Sequence, residues 1–245
     1  MCTVTFIPIN KNSFVLTQNR DEHYSRPSAL LPEIYEVNGK KLLFPKDTTG
    51  GGTWIATSYE RITCLLNGAF KPHIFMPPYR KSRGLIVLDS FGFDSMEDFS
   101  KQYDFENIEP FTMIVVDFND EQQLAEIRWD GRKIFFKELS SDNYHIWSSA
   151  SLYDDEMHQL RVKWFDEWLK NKIKKLPEDI LRFHHEAGDG DLRTNVLMNR
   201  GNIISTVSIS SIFVEDGEVV FSYEDVKNHQ QKKISFNKEV NKHQL

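Results

Sequence analysis

The stretch that decides the fold lies at the start of the chain: residues 2–7, CTVTFI, and residues 13–17, SFVLT, with the polar NKN of residues 10–12 between them. β-Branched and aromatic residues favour extended backbone, and two such runs around a short polar link are typical of a hairpin. We therefore predict that the chain opens with two adjacent antiparallel strands.

The register of this hairpin decides which polar side chains share a face of the sheet. If Lys11-Asn12 forms a two-residue loop, the position numbers of opposed residues add to 23, and Cys2 lies opposite Asp21. Opposed residues have Cβ atoms about 4.5–5.5 Å apart. The register therefore predicts Cys2, Asn19 and Asp21 on one face. Strict alternation sends Arg20 to the other face unless a bulge intervenes.

Hairpins continue along the chain. Turn residues separate three further strand pairs: residues 53–58 and 61–66 around Tyr59-Glu60, 124–129 and 133–139 around Asp130-Gly131, and 203–214 and 218–223 around Asp216-Gly217. Single strands are expected at residues 111–118, 144–148 and 195–198. Residues 20–48 are punctuated by proline and glycine, which predicts mostly loop with short strands.

Helices are predicted in two groups between the strands. The first group covers residues 80–103 in two pieces, with Ser95 as the N-cap of the second piece. The second group follows a capping box formed by Ser151 and Asp154, and it includes a short helix that begins at Pro177. The order β, α, β, α, β, with strands in hairpins, favours antiparallel sheets with segregated helices, which is an α+β fold.

Length and composition predict one soluble domain over residues 1–245, with a polar tail at 227–245 that frays. The net charge of −6 argues against a nucleic-acid partner. No apolar run reaches the roughly 20 residues of a transmembrane helix, and no signal peptide is visible. We therefore expect a cytoplasmic protein in which Cys2 and Cys64 are reduced thiols. The oligomeric state stays open.

A metal site is not expected. His184 and His185 are adjacent, so on a helix they point apart, and the sequence has no Cys-x-x-Cys or His-x-x-x-His pair. The 18 phenylalanines suit an apolar ligand, but they suit a bulky core equally well.

Cys2 is the strongest candidate for chemistry. An initiator methionine is normally removed before a small second residue, and its removal would leave an α-amine and a thiol on Cys2. An α-amine titrates near pH ~7.7–8.0 and a thiol near ~8.5. The amine can therefore act as the general base for its own side chain, which is the chemistry of an N-terminal nucleophile.

Several motifs along the chain carry a family resemblance. They are Met1-Cys2, Asn19-Arg20-Asp21-Glu22 with Arg26-Pro27, Gly51-Gly52-Thr53-Trp54, Asn67 at the end of a strand, and Arg193-Thr194-Asn195. Through these motifs the chain resembles the NRDE family, also called the transport and Golgi organisation protein 2 family. The resemblance covers the chain from residue 2 to about residue 225. That family in turn resembles N-terminal-nucleophile hydrolases.

The resemblance implies a four-layer αββα sandwich and a cysteine hydrolase that acts on an amide or thioester of a small or acyl substrate. The implied catalytic residues are Cys2, Asn19, Arg20, Asp21 and Asn67. The implied substrate-binding residues are Arg26, Trp54, Ser149, Arg193 and Asn195. Related amidases carry an asparagine, which donates to the oxyanion, at the position of Ser149, and a serine hydroxyl is shorter.

The resemblance also implies an alternative without catalysis. What is known of the family points to intracellular haem handling, to lipid or acyl-CoA metabolism and to secretory organisation. In this alternative the chain is a carrier of haem or of an acyl lipid, with a role in trafficking. No cofactor is required in either case, and haem would be a carried ligand.

Overall fold

The computed structural model describes residues 2–171 and 175–237. Its strands, in chain order, are β1 (Cys2–Asn10), β2 (Ser13–His23), β3 (Leu30–Val37), β4 (Lys40–Lys46), β5 (Ile55–Thr57), β6 (Arg61–Asn67), β7 (Phe111–Asp117), β8 (Gln123–Trp129), β9 (Ile134–Leu139), β10 (His145–Ser148), β11 (Asn199–Arg200), β12 (Ile204–Glu215), β13 (Glu218–Asp225) and β14 (Gln230–Phe236). The helices described are α1 (Arg83–Ser90), α2 (Met96–Gln102), α3 (Asp155–Asn171) and α4 (Pro177–Glu186).

The strands form two antiparallel sheets of seven strands each. The first sheet has the order β10-β1-β2-β12-β13-β14, with β11 pairing with β12, and the second has the order β3-β4-β5-β6-β7-β8-β9. Helices α1 and α2 lie against the second sheet, whereas α3 and α4 lie against the first. The predicted α+β sandwich of two sheets flanked by helices is confirmed.

Three apolar clusters fill the spaces between these layers. The largest lies between the two sheets and includes Cys2, Phe6, Phe14 and Phe221. A second cluster packs α1 and α2 on one sheet, and a third packs α3 and α4 on the other. Many of the phenylalanines are therefore core residues, and burial of such side chains contributes about 1.5–3 kcal/mol each.

The opening hairpin forms as predicted, but its register differs. Asn10 pairs with Ser13, so Lys11-Asn12 is the two-residue loop, and a bulge at Ile9 then shifts the ladder by one position. As a consequence Cys2 lies opposite Arg20, not Asp21. Because side chains alternate along a strand, this shift by one position changes which residues of β2 share a face of the sheet with each residue of β1.

The other hairpins, the helix pair after residue 80 and the helix that begins at Pro177 are confirmed. Residues 20–48 hold more strand than predicted, because β3 and β4 form a hairpin there. The capping prediction at Ser151 is wrong: α3 begins later, and the Asp154 carboxylate accepts from the Met157 N–H. Ser95 does cap α2, since its hydroxyl accepts from the Asp98 N–H.

The C-terminal end of the described chain differs from the sequence prediction at two places. Residues 195–198 form no strand, and the short strand β11 follows them. Residues 230–236, expected in a frayed tail, form β14 and pair with β13 along its length. Polar side chains on an edge strand give no apolar run, which explains why composition missed it. Residues 238–245 lie outside the described residues.

Candidate functional site

A cavity of about 350 Å³ lies where β1 and β2 of one sheet meet β6 of the other and the first turn of α1. Its lining combines one thiol, three arginines, three carboxylates and a few apolar side chains. The charged and thiol residues are Cys2, Arg20, Arg26, Arg83, Glu22, Asp47 and Glu109, and the apolar ones include Trp54, Leu65 and Phe75. The arrangement suits a small ligand with polar groups.

Cys2 begins β1 and is 2% exposed. It faces the space between the sheets, together with Val4 and Phe6, because every second residue of the strand points to that side. Burial raises the pKa of the Cys2 thiol, and the negative charge of Asp21 acts in the same direction. The positive charge of Arg20 opposes both effects by favouring the thiolate.

The bulge at Ile9 accounts for the presence of Arg20 in this cavity. With Cys2 opposite Arg20, the side chains of Gln18, Arg20 and Glu22 follow one another on the Cys2 face of β2. Asn19 and Asp21 point to the opposite face. The sequence prediction was therefore wrong about the faces, although it named the condition, a bulge, under which Arg20 would reach Cys2.

Arg20 is held in place by two partners in the connection between β4 and β5 of the second sheet. Its Nη2 lies 2.6 Å from Asp47 Oδ2, and its guanidinium lies 4.0 Å from the centre of the Trp54 ring. Arg26 binds the same carboxylate through two nitrogens, at 3.0 and 3.1 Å. Although burial opposes ionisation, hydrogen bonds from Arg26 and the Gly50 N–H hold the pKa of Asp47 below its usual value.

The glycine run brings α1 to the edge of the cavity. A Cβ on Gly52 would lie 2.2 Å from the carbonyl carbon of Gly84, so the two backbones touch. The Thr53 N–H donates to the Gly84 carbonyl at 3.1 Å. Because glycine has no Cβ, Gly52 allows this close approach of the α1 backbone. This contact places the positive end of the α1 dipole at the cavity.

Arg83, in the first turn of α1, is a cation of this site that the sequence did not single out. Its Nη2 lies 3.1 Å from Glu109 Oε2, and its Nη1 donates to the Pro110 carbonyl. Burial lowers the pKa of Arg83, and Glu109 partly counteracts this effect. Even so, an arginine remains protonated at physiological pH.

Asn67 ends β6 and lines the cavity, as the sequence predicted. Its amide makes no hydrogen bond to the part of the chain that the structure describes, so it is available to a ligand. Ser149 lies behind it: the Ser149 hydroxyl donates to the Asn67 carbonyl at 2.7 Å, and the Ser149 N–H donates to the Cys2 carbonyl at 2.9 Å. Ser149 is fully buried and does not line the cavity.

The opposite face of β2 carries a saturated polar cluster beneath α3 and α4. Asn19 Nδ2 donates to the carbonyls of His184 and Val196, and Asn19 Oδ1 accepts from His184 Nδ1 at 2.7 Å. Because Asn19 Oδ1 can only accept, the imidazole proton resides on Nδ1. The other imidazole nitrogen, Nε2, accepts from the Thr5 hydroxyl at 2.8 Å. Burial lowers the pKa of His184 to about 3, so the ring is neutral.

Asp21 belongs to the same face. Its carboxylate accepts hydrogen bonds from the hydroxyls of Thr206 and Tyr153. The guanidinium of Arg161, which is fully buried, stacks 3.8 Å from the centre of the Tyr153 ring. Burial raises the pKa of Asp21, and the two hydroxyl donors and Arg161 act against that rise.

The sequence of the chain also matches a known protein family. The family model described as Transport and Golgi organisation 2 matches residues 1–232. The chain belongs to that family. No curated protein matches the chain. The matched region includes every described element up to the start of β14.

In this member of the Transport and Golgi organisation 2 family, the structure brings together part of the predicted site. Five predicted residues line the cavity: Cys2, Arg20, Asn67, Arg26 and Trp54. Asn19 and Asp21 lie on the other face of the sheet, and Ser149 supports the backbone of Asn67. The described structure does not test their catalytic or binding roles, which stay predictions.

Arg193 and Asn195 are placed in the loop between α4 and β11, away from the cavity lining. Arg193 is exposed and pairs with Asp191 at 2.6 Å. The side chain of Asn195 packs against Gly188, and its carbonyl accepts from Arg161. Both residues therefore belong to the helix side of the first sheet, with Asn19 and Asp21.

Four residues that sequence reasoning missed complete the cavity lining: Glu22, Asp47, Arg83 and Glu109. Gln18 was also missed; it lies on the Cys2 face of β2 but does not line the cavity. Gln18 and Glu22 are two positions either side of Arg20, so the correct register would have found them. Asp47, Arg83 and Glu109 come from distant parts of the chain and left no local pattern.

The described residues, 2–171 and 175–237, contain no group of three or more His, Cys, Asp or Glu side chains placed to hold a metal ion. Within the same ranges, none of the helices has the length and apolar character needed to cross a bilayer.

Proposed function

We propose that this chain is a cysteine hydrolase of the N-terminal-nucleophile kind, which cleaves an amide or thioester of a small substrate. The observation that supports it most is the position of Cys2: its thiol lies in the wall of a ligand-sized cavity and directly opposite Arg20. A thiol in a cavity beside a fixed cation is the arrangement in which a cysteine becomes a nucleophile.

The chemistry begins with removal of Met1, which lies outside the described residues. The amine of Cys2 takes the proton of its own thiol, and the thiolate attacks the substrate carbonyl carbon. The carbonyl then re-forms as the C–N or C–S bond breaks, and the amine returns its proton to the leaving group. Water hydrolyses the resulting thioester to release the acid and restore Cys2.

Positive charge near Cys2 favours this sequence of steps, and it acts against burial and the Asp21 carboxylate, which raise the pKa of the thiol. Arg20 stabilises the thiolate, and the α1 dipole and Arg83 add positive potential at the same cavity. The unengaged amide of Asn67 is the donor for the developing oxyanion, a contribution of about 10²–10³ in rate in other enzymes. Asp21 follows Arg20 on β2, near the end of β1 where the freed amine would lie.

Cavity size and polarity define the substrate class. Ligand pockets range over about 300–1,000 Å³, and this one lies at the small end. Three arginines and three carboxylates outnumber its large apolar side chains, so the lining matches a small polar acyl group better than an apolar macrocycle.

The carrier role remains the second candidate, and a different cavity favours it. A groove of about 830 Å³ lies between α4 and strands β12–β14. It combines apolar side chains, including Leu181, Ile209, Phe213 and Val220, with polar and charged residues such as Glu178, Glu215 and Lys232. A haem or acyl lipid held there would lie on the outer face of the first sheet, without contact with Cys2. The two candidate functions therefore use opposite sides of one sheet.

The mature N-terminus provides the first test. If the amine is the general base, intact-mass measurement of native protein should show loss of Met1. Full retention of Met1 would remove the base and contradict the hydrolase proposal, while leaving the carrier role possible.

A substrate panel with matched variants provides the second test. Wild-type protein should hydrolyse small acyl amides or thioesters, and Cys2→Ala should not. Haem and acyl-CoA binding, measured by a shift of the Soret band and by calorimetry, should be equal in the two proteins if binding occurs in the outer groove. Tight binding without any hydrolysis would favour the carrier.

A further inference from the structure

Gln18 lies beside the nucleophile on β2. It is fully buried, pairs with Val4 across the ladder, and points to the same side as Cys2 and Arg20. Diagonal neighbours on one face lie about 7–8 Å apart, a gap that a long side chain can span. An uncharged amide among apolar residues needs partners for both of its ends.

Two hydrogen bonds fix the orientation of this amide. Gln18 Nε2 donates to the Leu65 carbonyl at 2.9 Å, and Gln18 Oε1 accepts from Cys64 Sγ, also at 2.9 Å. A carbonyl can only accept, so the nitrogen must face Leu65. Burial raises the pKa of Cys64 well above its usual value, so that thiol keeps its proton and can donate it to the amide oxygen that is left facing it.

The amide nitrogen carries a second hydrogen. Leu65 takes one hydrogen, which leaves the other for a group on the same face of the sheet. Gln18 and Arg20 are successive residues on the face of β2 that carries Cys2, and a hydrogen bond from the Gln18 side chain acts to lower the pKa of the Cys2 thiol. Arg20, the neighbouring cation, is committed to Asp47 and stacks on Trp54. The second Gln18 N–H, on the Cys2 face of β2, has no other partner among the described residues.

We propose that Gln18 donates a hydrogen bond to the Cys2 thiolate, and that Cys64 is a positioning residue that holds the Gln18 amide in its donating orientation. This inference rests on the proposed function, because it assigns the donor to the nucleophile of that reaction. A neutral donor offsets the burial of the thiolate without adding a second charge that would itself need a partner.

The test measures alkylation of Cys2 by iodoacetamide as a function of pH, with peptide mapping to separate Cys2 from Cys64. Gln18→Met keeps the length of the side chain and removes the donor. Since a hydrogen bond to a charged group contributes roughly one pKa unit, the alkylation midpoint should rise by about one pH unit and the rate near pH 7 should fall about tenfold.

Cys64 supplies a matched pair of variants. Cys64→Ala removes the donor to Oε1 and frees the amide to rotate, so the Cys2 midpoint should move upward, though less than in Gln18→Met. Cys64→Ser keeps a hydroxyl donor at the same place and should restore the wild-type midpoint. A residue needed only for packing would not distinguish serine from alanine in this way.

The proposal is overturned if folded Gln18→Met, checked by circular dichroism and thermal unfolding, alkylates with the wild-type midpoint. If that variant does not fold, equal midpoints for Cys64→Ala and Cys64→Ser overturn it. Alkylation needs no substrate, so its outcome is independent of whether hydrolysis is found. A shifted midpoint in a protein that hydrolyses nothing would support the donor and contradict the hydrolase.

Discussion

The two faces of strands β1 and β2 carry polar side chains of very different character. The face towards the second sheet presents Cys2 and Arg20 to a cavity, which the Asn67 amide also lines without a hydrogen bond to any described residue. The face towards α3 and α4 buries Asn19 and Asp21 in a closed set of hydrogen bonds. Residues that are neighbours in sequence thus serve separate purposes: one face keeps donors and charges available, and the other uses them to attach helices.

The largest expected effect tests this division at adjacent positions. Cys2→Ala should lower hydrolysis by at least about 10³-fold, because the nucleophile is lost, and change the free energy of unfolding by only about 1 kcal/mol. Thr3→Val, one residue away, removes the acceptor of Arg161 Nε on the other face. It should cost about 1–2 kcal/mol of stability and leave turnover near the wild-type value. Turnover is measured with the best substrate of the wild-type protein, and the free energy of unfolding is measured by urea denaturation.

If Cys2→Ala retained turnover, the division would fail, because the open face would then hold no nucleophile. Equal loss of turnover in Thr3→Val, with the fold intact, would show that the helix face takes part in catalysis.

The second expected effect concerns the buried cation of the closed face. Arg161→Met should destabilise the protein by about 3–5 kcal/mol, because it removes a buried cation that acts against the raised pKa of Asp21 and it leaves the Asn195 carbonyl without its donor. The exposed Arg193→Met is the control and should change stability by no more than about 0.5 kcal/mol. Urea unfolding of the two variants measures both changes in the free energy of unfolding. Similar small changes for Arg161→Met and Arg193→Met would mean that the buried polar cluster contributes little to stability.

The third effect is a dependence of stability on pH. The folded pKa of His184 is about 3, whereas its usual value is 6.5, so the unfolded chain binds more protons between these values. The contribution of His184 is therefore fully present above about pH 6.5 and is lost as pH falls towards 3. Between pH 7 and 4.5 this loss amounts to about 2–3 kcal/mol.

His184→Gln should remove this fall of the unfolding free energy with pH, although the stability of the variant at pH 7 will be lower. His185→Gln is the control, because His185 is partly exposed and pairs with Glu224 at 3.1 Å. Unfolding free energies of the three proteins at pH 7, 5.5 and 4.5 decide the question. If the unfolding free energy of His184→Gln fell with pH as steeply as that of the wild type, another group would be responsible for the loss of stability in acid.

The smallest effect concerns the boundary between the two faces. The resemblance to related amidases predicts that Ser149→Asn adds an oxyanion donor and raises turnover. The structure leads us to expect no gain and a loss of about 1–2 kcal/mol, because the fully buried hydroxyl already donates to the Asn67 carbonyl and a larger side chain would be overpacked. Higher turnover in a folded variant would show that position 149 reaches the substrate.

Local chemistry made much of the fold predictable. Asp130-Gly131 and Asp216-Gly217 marked their turns, Ser95 marked the start of a helix, and β-branched runs marked the central strands. The bulge at Ile9 was not predictable, since it leaves no trace in composition, and it alone reversed the expected faces of Asp21 and Arg20. Strand β14 was missed because its side chains are mostly polar.

The candidate site was predictable where one motif carries several of its members. Arg20, Arg26 and Trp54 were found because they stand in recognisable runs near Cys2. Asp47, Arg83 and Glu109 reach the cavity only through tertiary packing, for example the contact of Gly52 with Gly84. No spacing rule on a single sequence predicts such a contact, because both partners are ordinary loop or helix-end residues.

The bulge at Ile9 also bears on how such a chain can change over evolutionary time. Substitution within Lys11-Asn12 alters only an exposed turn, and we expect homologues to vary there freely. Deleting Ile9 would remove the bulge and still leave Cys2 opposite Arg20, because Pro8 already pairs with Phe14. Deleting one residue between Cys2 and Pro8 would instead move Cys2 by one position along the ladder and turn it away from Arg20. The number of residues between Cys2 and the bulge, more than their composition, should therefore be constant in homologues that use the cysteine.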